Sequence, residues 1–288
     1  MRAEPSRYLV ETRPTLAATL ELMGREPSVW RPLAGGTDVM VAFESGRLAH
    51  ERWLSIWHLN ELRGISIDER FVTLGALTTY SELAGHAVIQ SDLPLLVAAA
   101  RATGAIAIQN RGTLGGNIAN ASPAADTPPV LLAYGAEIEL ASTRGARWLA
   151  YDGFHTGYKT TQAASDELIT RIRIERPRGE VRAAFRKVGA RRAQAISKVC
   201  VAACVSREDG VVREARIGLG SVAATPVRAR HAEAVLVGRA LSPALAVQAR
   251  DAALEDISPI DDIRSTAEYR RRVVQNLVEQ FVRDFAKP

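Results

Sequence analysis

The sequence predicts an α+β protein in two domains, residues 1–176 and 177–288, and three observations carry that reading. The chain has 288 residues, which at roughly 150 residues per domain suits one large unit or two ordinary ones. Composition shifts at Glu175-Arg176-Pro177-Arg178-Gly179-Glu180, a charged segment broken by Pro and Gly. Beyond it, strands come first and helices after, without the βαβ alternation of a parallel sheet. That order points to a three-stranded antiparallel sheet covered by helices.

In the first domain a helix starts near Thr12 as cap, with Pro14 in its first turn and Leu16, Leu20 and Leu22 before the stop at Gly24. A strand over 28–33 ends in Ala34-Gly35-Gly36-Thr37-Asp38, and Val39 to Phe43 form a short helix. Ile65-Ser66-Ile67 and Phe71-Val72-Thr73-Leu74 flank Asp68-Glu69-Arg70 as a hairpin. Thr79-Tyr80-Ser81-Glu82 has the form of a capping box and opens a helix. Another helix runs over 93–102, then a loop dense in turn residues from Gln109 to Asp126, a helix over 128–133, and strands over 136–140 and 167–174. The second domain is read as strands over 183–188, 197–205 and 211–219, with Glu208-Asp209-Gly210 turning between the last two. Helices over 229–237, 243–254 and 265–285 close the chain.

Composition removes several function classes. With 47% hydrophobic and 24% charged residues the chain is of ordinary globular type. It has no apolar run of about 18 residues to span a membrane, and Met1 to Arg7 lacks the apolar core of a secretory signal. The expected location is the cytoplasm. Only two cysteines occur, Cys200 and Cys204, both inside the apolar run Val199 to Val205, which reads as a buried face. Two thiolates cannot hold an iron–sulfur cluster, and the five histidines show no ligand spacing, so no metal site is predicted. The net charge of +5 permits nucleic-acid binding. However, the densest basic cluster, Arg270-Arg271-Arg272, has Glu268 at the spacing of a solvated salt-bridged face, and no aromatic residues interleave a basic groove. Nucleic acid is not an expected partner.

Two paired-glycine turns stand out, Gly35-Gly36-Thr37 and Gly115-Gly116-Asn117. Paired glycines admit positive φ and let backbone N–H groups approach an anion with no Cβ in the way. Each turn leads into a short helix whose N-terminus favours negative charge. Together they suggest a dinucleotide-type diphosphate. No G-x-x-x-x-G-K-[ST] loop occurs. A G-x-G-x-x-A at Gly218 to Ala223 is set aside as a NAD site, because Pro226 interrupts the helix it requires and its strand belongs to an antiparallel set.

The residues then carry a resemblance. Ala34-Gly35-Gly36-Thr37-Asp38, Leu74-Gly75-Ala76-Leu77-Thr78-Thr79, Asn110-Arg111-Gly112-Thr113-Leu114-Gly115-Gly116-Asn117 with Ser122-Pro123-Ala124-Ala125-Asp126, Gly157-Tyr158-Lys159-Thr160 and Phe185 to Arg191 occur in this order over nearly the whole chain. The sequence resembles the FAD-binding medium subunits of molybdenum hydroxylases, a family that includes xanthine, carbon monoxide, nicotine and quinoline dehydrogenases.

The resemblance implies a vanillyl-alcohol-oxidase-type FAD domain of two α+β subdomains with the flavin between them, followed by a small sheet with three helices. By position, Pro32, Leu33, Ala34, Gly35, Gly36, Thr37, Asp38 and Val39 would line the ADP and diphosphate, and Thr113, Leu114, Gly115, Gly116 and Asn117 would wrap its other side. Asp126 would bond ribityl or ribose hydroxyls, or else cap the following helix; Ile169 would touch flavin or adenine, or else be plain strand core. Lys187 would sit by the isoalloxazine and Tyr158 beside its face.

One FAD is implied for this chain, with two [2Fe-2S] clusters on a small partner subunit and molybdopterin on a large one, in a heterotrimer that pairs into a dimer of heterotrimers. Electrons would run from the clusters through the flavin to an acceptor. Thr103 stands where xanthine dehydrogenases carry an aromatic residue near the flavin, and the acceptor stays open among NAD, quinone, cytochrome and oxygen. Two alternatives remain at this stage: a self-sufficient FAD oxidase or reductase of the same fold, and a non-catalytic nucleotide-binding module.

Overall fold

A computed structural model describes residues 4–191 and 194–287. The first sheet is built from β1 (Leu9–Thr12), β2 (Arg31–Leu33) and β3 (Arg52–Ser55), parallel in the order β1-β3-β2, with α1 (Leu16–Arg25) and α2 (Thr37–Glu44) as the crossovers. The cap of α1 is Thr15, whose hydroxyl accepts from the Ala18 N–H; Thr12 instead closes β1, a strand the sequence reading missed. Thr15 sits in the extended region immediately before the first helical residue, which is what a cap requires.

The second sheet follows in β4 (Ile65–Ile67), β5 (Phe71–Gly75), α3 (Tyr80–Gly85), α4 (Ala87–Asp92), α5 (Pro94–Ala102), α6 (Ile106–Gln109), α7 (Leu114–Asn120), α8 (Thr127–Ala133), β6 (Glu137–Ser142), β7 (Gly145–Ala150), the small hairpin β8 (His155–Gly157) with β9 (Thr160–Thr161), and β10 (Leu168–Glu175). Its order is β4-β5-β10-β6-β7, antiparallel throughout. Asp68 forms the predicted turn, its carboxylate accepting from the Arg70 and Phe71 N–H groups at 2.7 Å each. The capping box is present, with Thr79 and Glu82 bonding each other's backbone. Leu74, Ile138 and Ile172 from the sheet meet Leu96, Leu114, Ile118 and Leu131 from the helices in one core.

The third sheet contains β11 (Glu180–Val188), β12 (Val199–Glu208), β13 (Val211–Gly220) and β14 (Val227–Arg228), antiparallel in that order, covered by α9 (Arg230–Leu236), α10 (Pro243–Ala252) and α11 (Ala267–Phe285). The expected three-stranded sheet gains β14, two residues on its edge, too short to show a period. The hairpin turn has φ of 52° at Asp209 and 78° at Gly210, the paired positive values that match strand twist.

The unbroken apolar run of β12 has a physical cause: both faces are covered. Val199, Val201, Ala203 and Val205 pack under α9 to α11, while Ala202 and Cys204 face the core of the second sheet. Gly218 and Gly220, the glycines of the discarded dinucleotide motif, make room for α8. A Cβ on Gly218 would lie 2.0 Å from the Pro129 carbonyl oxygen.

The basic cluster on α11 departs from a solvated face. Arg270 is 4% exposed and donates to the carbonyls of Lys198 and Ser221 and to Asp262. Among the described residues, no helix is long and apolar enough to cross a membrane, and no cluster of potential metal ligands occurs.

Candidate functional site

A cavity of about 420 Å³ lies between the first and second sheets. One wall is the segment from the end of β2 into α2, and all eight residues from Pro32 to Val39 line it. Gly36, at φ 75°, turns the chain into α2, a conformation that disfavours any residue with a Cβ. Among the described residues, the backbone N–H groups of Gly35, Gly36, Thr37, Asp38 and Val39 have no partner within the chain. Thr37, Asp38 and Val39 are free as in the first turn of any helix, and with Gly35 and Gly36 they form a row of donors on the cavity wall that can receive an anionic ligand.

The opposite wall holds Thr113, Gly115, Gly116 and Asn117. Here the amides are already used. Leu114 N–H donates to Thr78, Gly115 to Ala76, Gly116 to the Thr113 hydroxyl and Asn117 to the Thr113 carbonyl, all at 2.9 to 3.1 Å. Gly115 is required by packing, since a Cβ there would come within 2.7 Å of the Ala76 Cβ. Leu114 does not reach the cavity; it is fully buried in the core behind it. Ile169, on β10, is both buried core and cavity lining.

The two glycine segments are locked together. A Cβ on Gly35 would fall 1.6 Å from the Arg111 carbonyl oxygen. The Arg111 guanidinium stacks on Trp57 at 3.8 Å from the ring centroid, with Arg63 also over that ring at 4.5 Å.

Asp126 and Lys187 lie apart from the cavity lining and are joined to each other. Lys187 Nζ donates to Asp126 at 2.6 Å and to the Ala102 carbonyl at 2.9 Å, and Ser197 donates to Asp126 at 2.6 Å. Burial pushes the Asp126 carboxyl up, while Lys187 and the hydroxyls of Ser197 and Thr103 pull it back. The Asp126 side chain makes no helix-cap bond, so the capping alternative falls. Lys187 is not a surface lysine, with its side chain 13% exposed. Tyr158 is 68% exposed and does not line the cavity.

Several lining residues escaped the sequence reading, among them Tyr80 and Lys159. Tyr80 is buried in the wall, and burial, then the charges of Asp126 and Asp38, keep its phenol protonated far above the ordinary range. Lys159, an exposed residue that lines the cavity, donates from its ammonium to Asn120 Oδ1 at 2.6 Å. Its scarcity was the available signal: only four lysines occur in the chain.

Comparison with known proteins decides the family. The family described as FAD binding domain in molybdopterin dehydrogenase matches residues 8–177, more than half of the chain. The chain belongs to this flavoprotein family. A second family, described as the CO dehydrogenase flavoprotein C-terminal domain, matches residues 183–285. Similar members include the xanthine dehydrogenase FAD-binding subunit of Escherichia coli O157:H7, 31% identical and covering 93% of this chain and 92% of its own length. The carbon monoxide dehydrogenase medium chain of Hydrogenophaga pseudoflava is 29% identical, covering 96% of each. A solved structure of carbon monoxide dehydrogenase from Hydrogenophaga pseudoflava superposes with a TM-score of 0.92 at 29% identity over 95% of each chain. These relatives are subunits of dehydrogenases, and the resemblance read from the glycine motifs stands.

Proposed function

We propose that this chain is the FAD-binding electron-transfer subunit of a molybdenum hydroxylase, dividing into an FAD domain at 1–176 and a flavoprotein C-terminal domain at 177–288. The observation that carries the reading is the row of free N–H groups from Gly35 to Val39 on a cavity of the FAD-binding family. In this reading Pro32 to Val39 hold the ADP and diphosphate. Thr113, Gly115, Gly116 and Asn117 form the facing wall, with Leu114 packing behind them. Ile169 supplies an apolar contact; Asp126 toward the ribityl or ribose hydroxyls and Lys187 and Tyr158 toward the isoalloxazine remain proposals from position alone, since none of the three lines the cavity.

Bound FAD takes electrons singly and delivers them in pairs, which suits a relay between one-electron and two-electron partners. The chain's own residues bind and orient it. The free amides complement the diphosphate charge, and the Asp126 and Lys187 pair fixes where the second and third sheets meet. With only two cysteines, neither placed with other metal ligands, the [2Fe-2S] clusters fall to a small partner subunit and molybdopterin to a large one. The assembly is a heterotrimer in the cytoplasm, paired as a dimer of heterotrimers.

The test uses the full chain expressed alone. Dithionite bleaches its flavin. Purines, aldehydes, N-heterocycles and carbon monoxide leave it oxidised under anaerobic mixing until an iron–sulfur subunit and a molybdopterin subunit are added. Bleaching by an organic substrate without partners overturns the subunit reading in favour of a self-sufficient FAD enzyme.

A further inference from the structure

Lys159 occupies an unusual place for a lysine. It sits in the two-residue turn between β8 and β9 with φ at 58°, in the left-handed region that residues with a Cβ seldom adopt. Both residues of the turn are exposed, but Tyr158 stays outside the cavity whereas Lys159 lines it. Its polar partner there is a neutral amide oxygen, Asn120 Oδ1, at 2.6 Å. Burial lowers its pKa, with Asp38 near enough for its charge to oppose the shift. The Lys159 ammonium, on an exposed residue at the cavity, has an amide oxygen, not a carboxylate, as its bonded partner, so it remains available to an anion. The other acidic residue on the cavity wall, Glu167, is held by both arms of Arg147 at 2.7 and 2.9 Å. The cavity wall therefore carries the Lys159 ammonium, with Arg31 as a second cation, together with the free amides of Gly35 to Val39.

We propose that Lys159 is the cationic contact for the diphosphate of the dinucleotide held in this cavity, the hairpin acting as a clasp that carries the charge in; this rests on the FAD reading above. The amides supply directed donors and Lys159 the compensating charge. Asn120 holds the ammonium in place before the ligand arrives, which lowers the ordering cost of binding.

The experiment titrates the flavin-depleted full chain with FAD at several ionic strengths, for the parent, Lys159→Gln and Lys159→Arg. A charge-assisted bond to a phosphate oxygen predicts a loss of roughly 10- to 100-fold in affinity for Lys159→Gln, a flatter salt dependence and substantial rescue by Lys159→Arg. Affinity of Lys159→Gln within twofold of the parent, with the same salt dependence, overturns the assignment. A loss shared equally by Lys159→Arg, with the salt dependence unchanged, also overturns it and makes the residue a support of the hairpin. A parent chain that binds no FAD at all overturns the functional reading instead, so the two failures are distinguishable.

Discussion

Replacing Gly35 by alanine tests the lock between the two glycine segments. The added Cβ would start 1.6 Å from the Arg111 carbonyl oxygen, and real Cβ contacts essentially never fall below 3.0 Å. One segment must therefore retreat by roughly 1.4 Å, and both are backbone, so no side-chain rotation relieves the clash. Overpacking of this kind costs up to about 3 kcal/mol or more, and the retreat also displaces the wall that carries the free amides. Gly36→Ala provides the contrast. Its Cβ would meet nothing closer than 3.7 Å, leaving only the left-handed backbone conformation to disfavour alanine, about 1 kcal/mol. Urea unfolding of the flavin-free proteins should rank Gly35→Ala well below Gly36→Ala, and fluorescence titration should show FAD binding collapsed in Gly35→Ala. Equal stability of the two variants, or parental FAD affinity in Gly35→Ala, refutes the reasoning.

Asp126→Asn leaves the Lys187 ammonium, 13% exposed, without its counter-charge. It should cost about 3 to 5 kcal/mol in urea unfolding, with the double variant Asp126→Asn, Lys187→Met less damaging; a double variant no better than the single counts against the pair. His155 is held neutral because burial lowers its pKa, and its ring bonds the Ile118 carbonyl at the end of α7. The unfolded chain takes up that proton first, so the stability contribution is complete above about 6.5 and is lost as pH falls below it. Urea midpoints of the parent and His155→Gln should converge between pH 7.5 and 5.5; parallel curves remove His155 as the cause.

The legibility of the sequence followed physical distance. The strands β11 to β13 and the helices α10 and α11 were readable because each is at least nine residues long, whereas β1 and β14 are edge strands of four and two residues. The glycine turns were readable as an unusual composition. Their different jobs were not, because the need for glycine at position 115 lies in Ala76, and at position 218 in Pro129. The union of Asp126 with Lys187 crosses 61 residues, and no local pattern encodes it. Lys159 was visible only as a rare residue type inside a family motif, since its place on the cavity wall depends on one left-handed turn.

The strand order of the second sheet also dictates when the molecule becomes competent during synthesis. β10 lies in the middle of that sheet, between β5 and β6, yet it is the last of the five strands to leave the ribosome. Until Leu168 to Glu175 emerge, β4 with β5 and β6 with β7 are two separate hairpins, each with an open hydrogen-bonding edge. Ile169 on the cavity wall arrives with the same strand. A nascent chain can thus complete this cavity only once most of the polypeptide has been made, and a ribosome stalled before that point displays exposed edges to whatever is nearby.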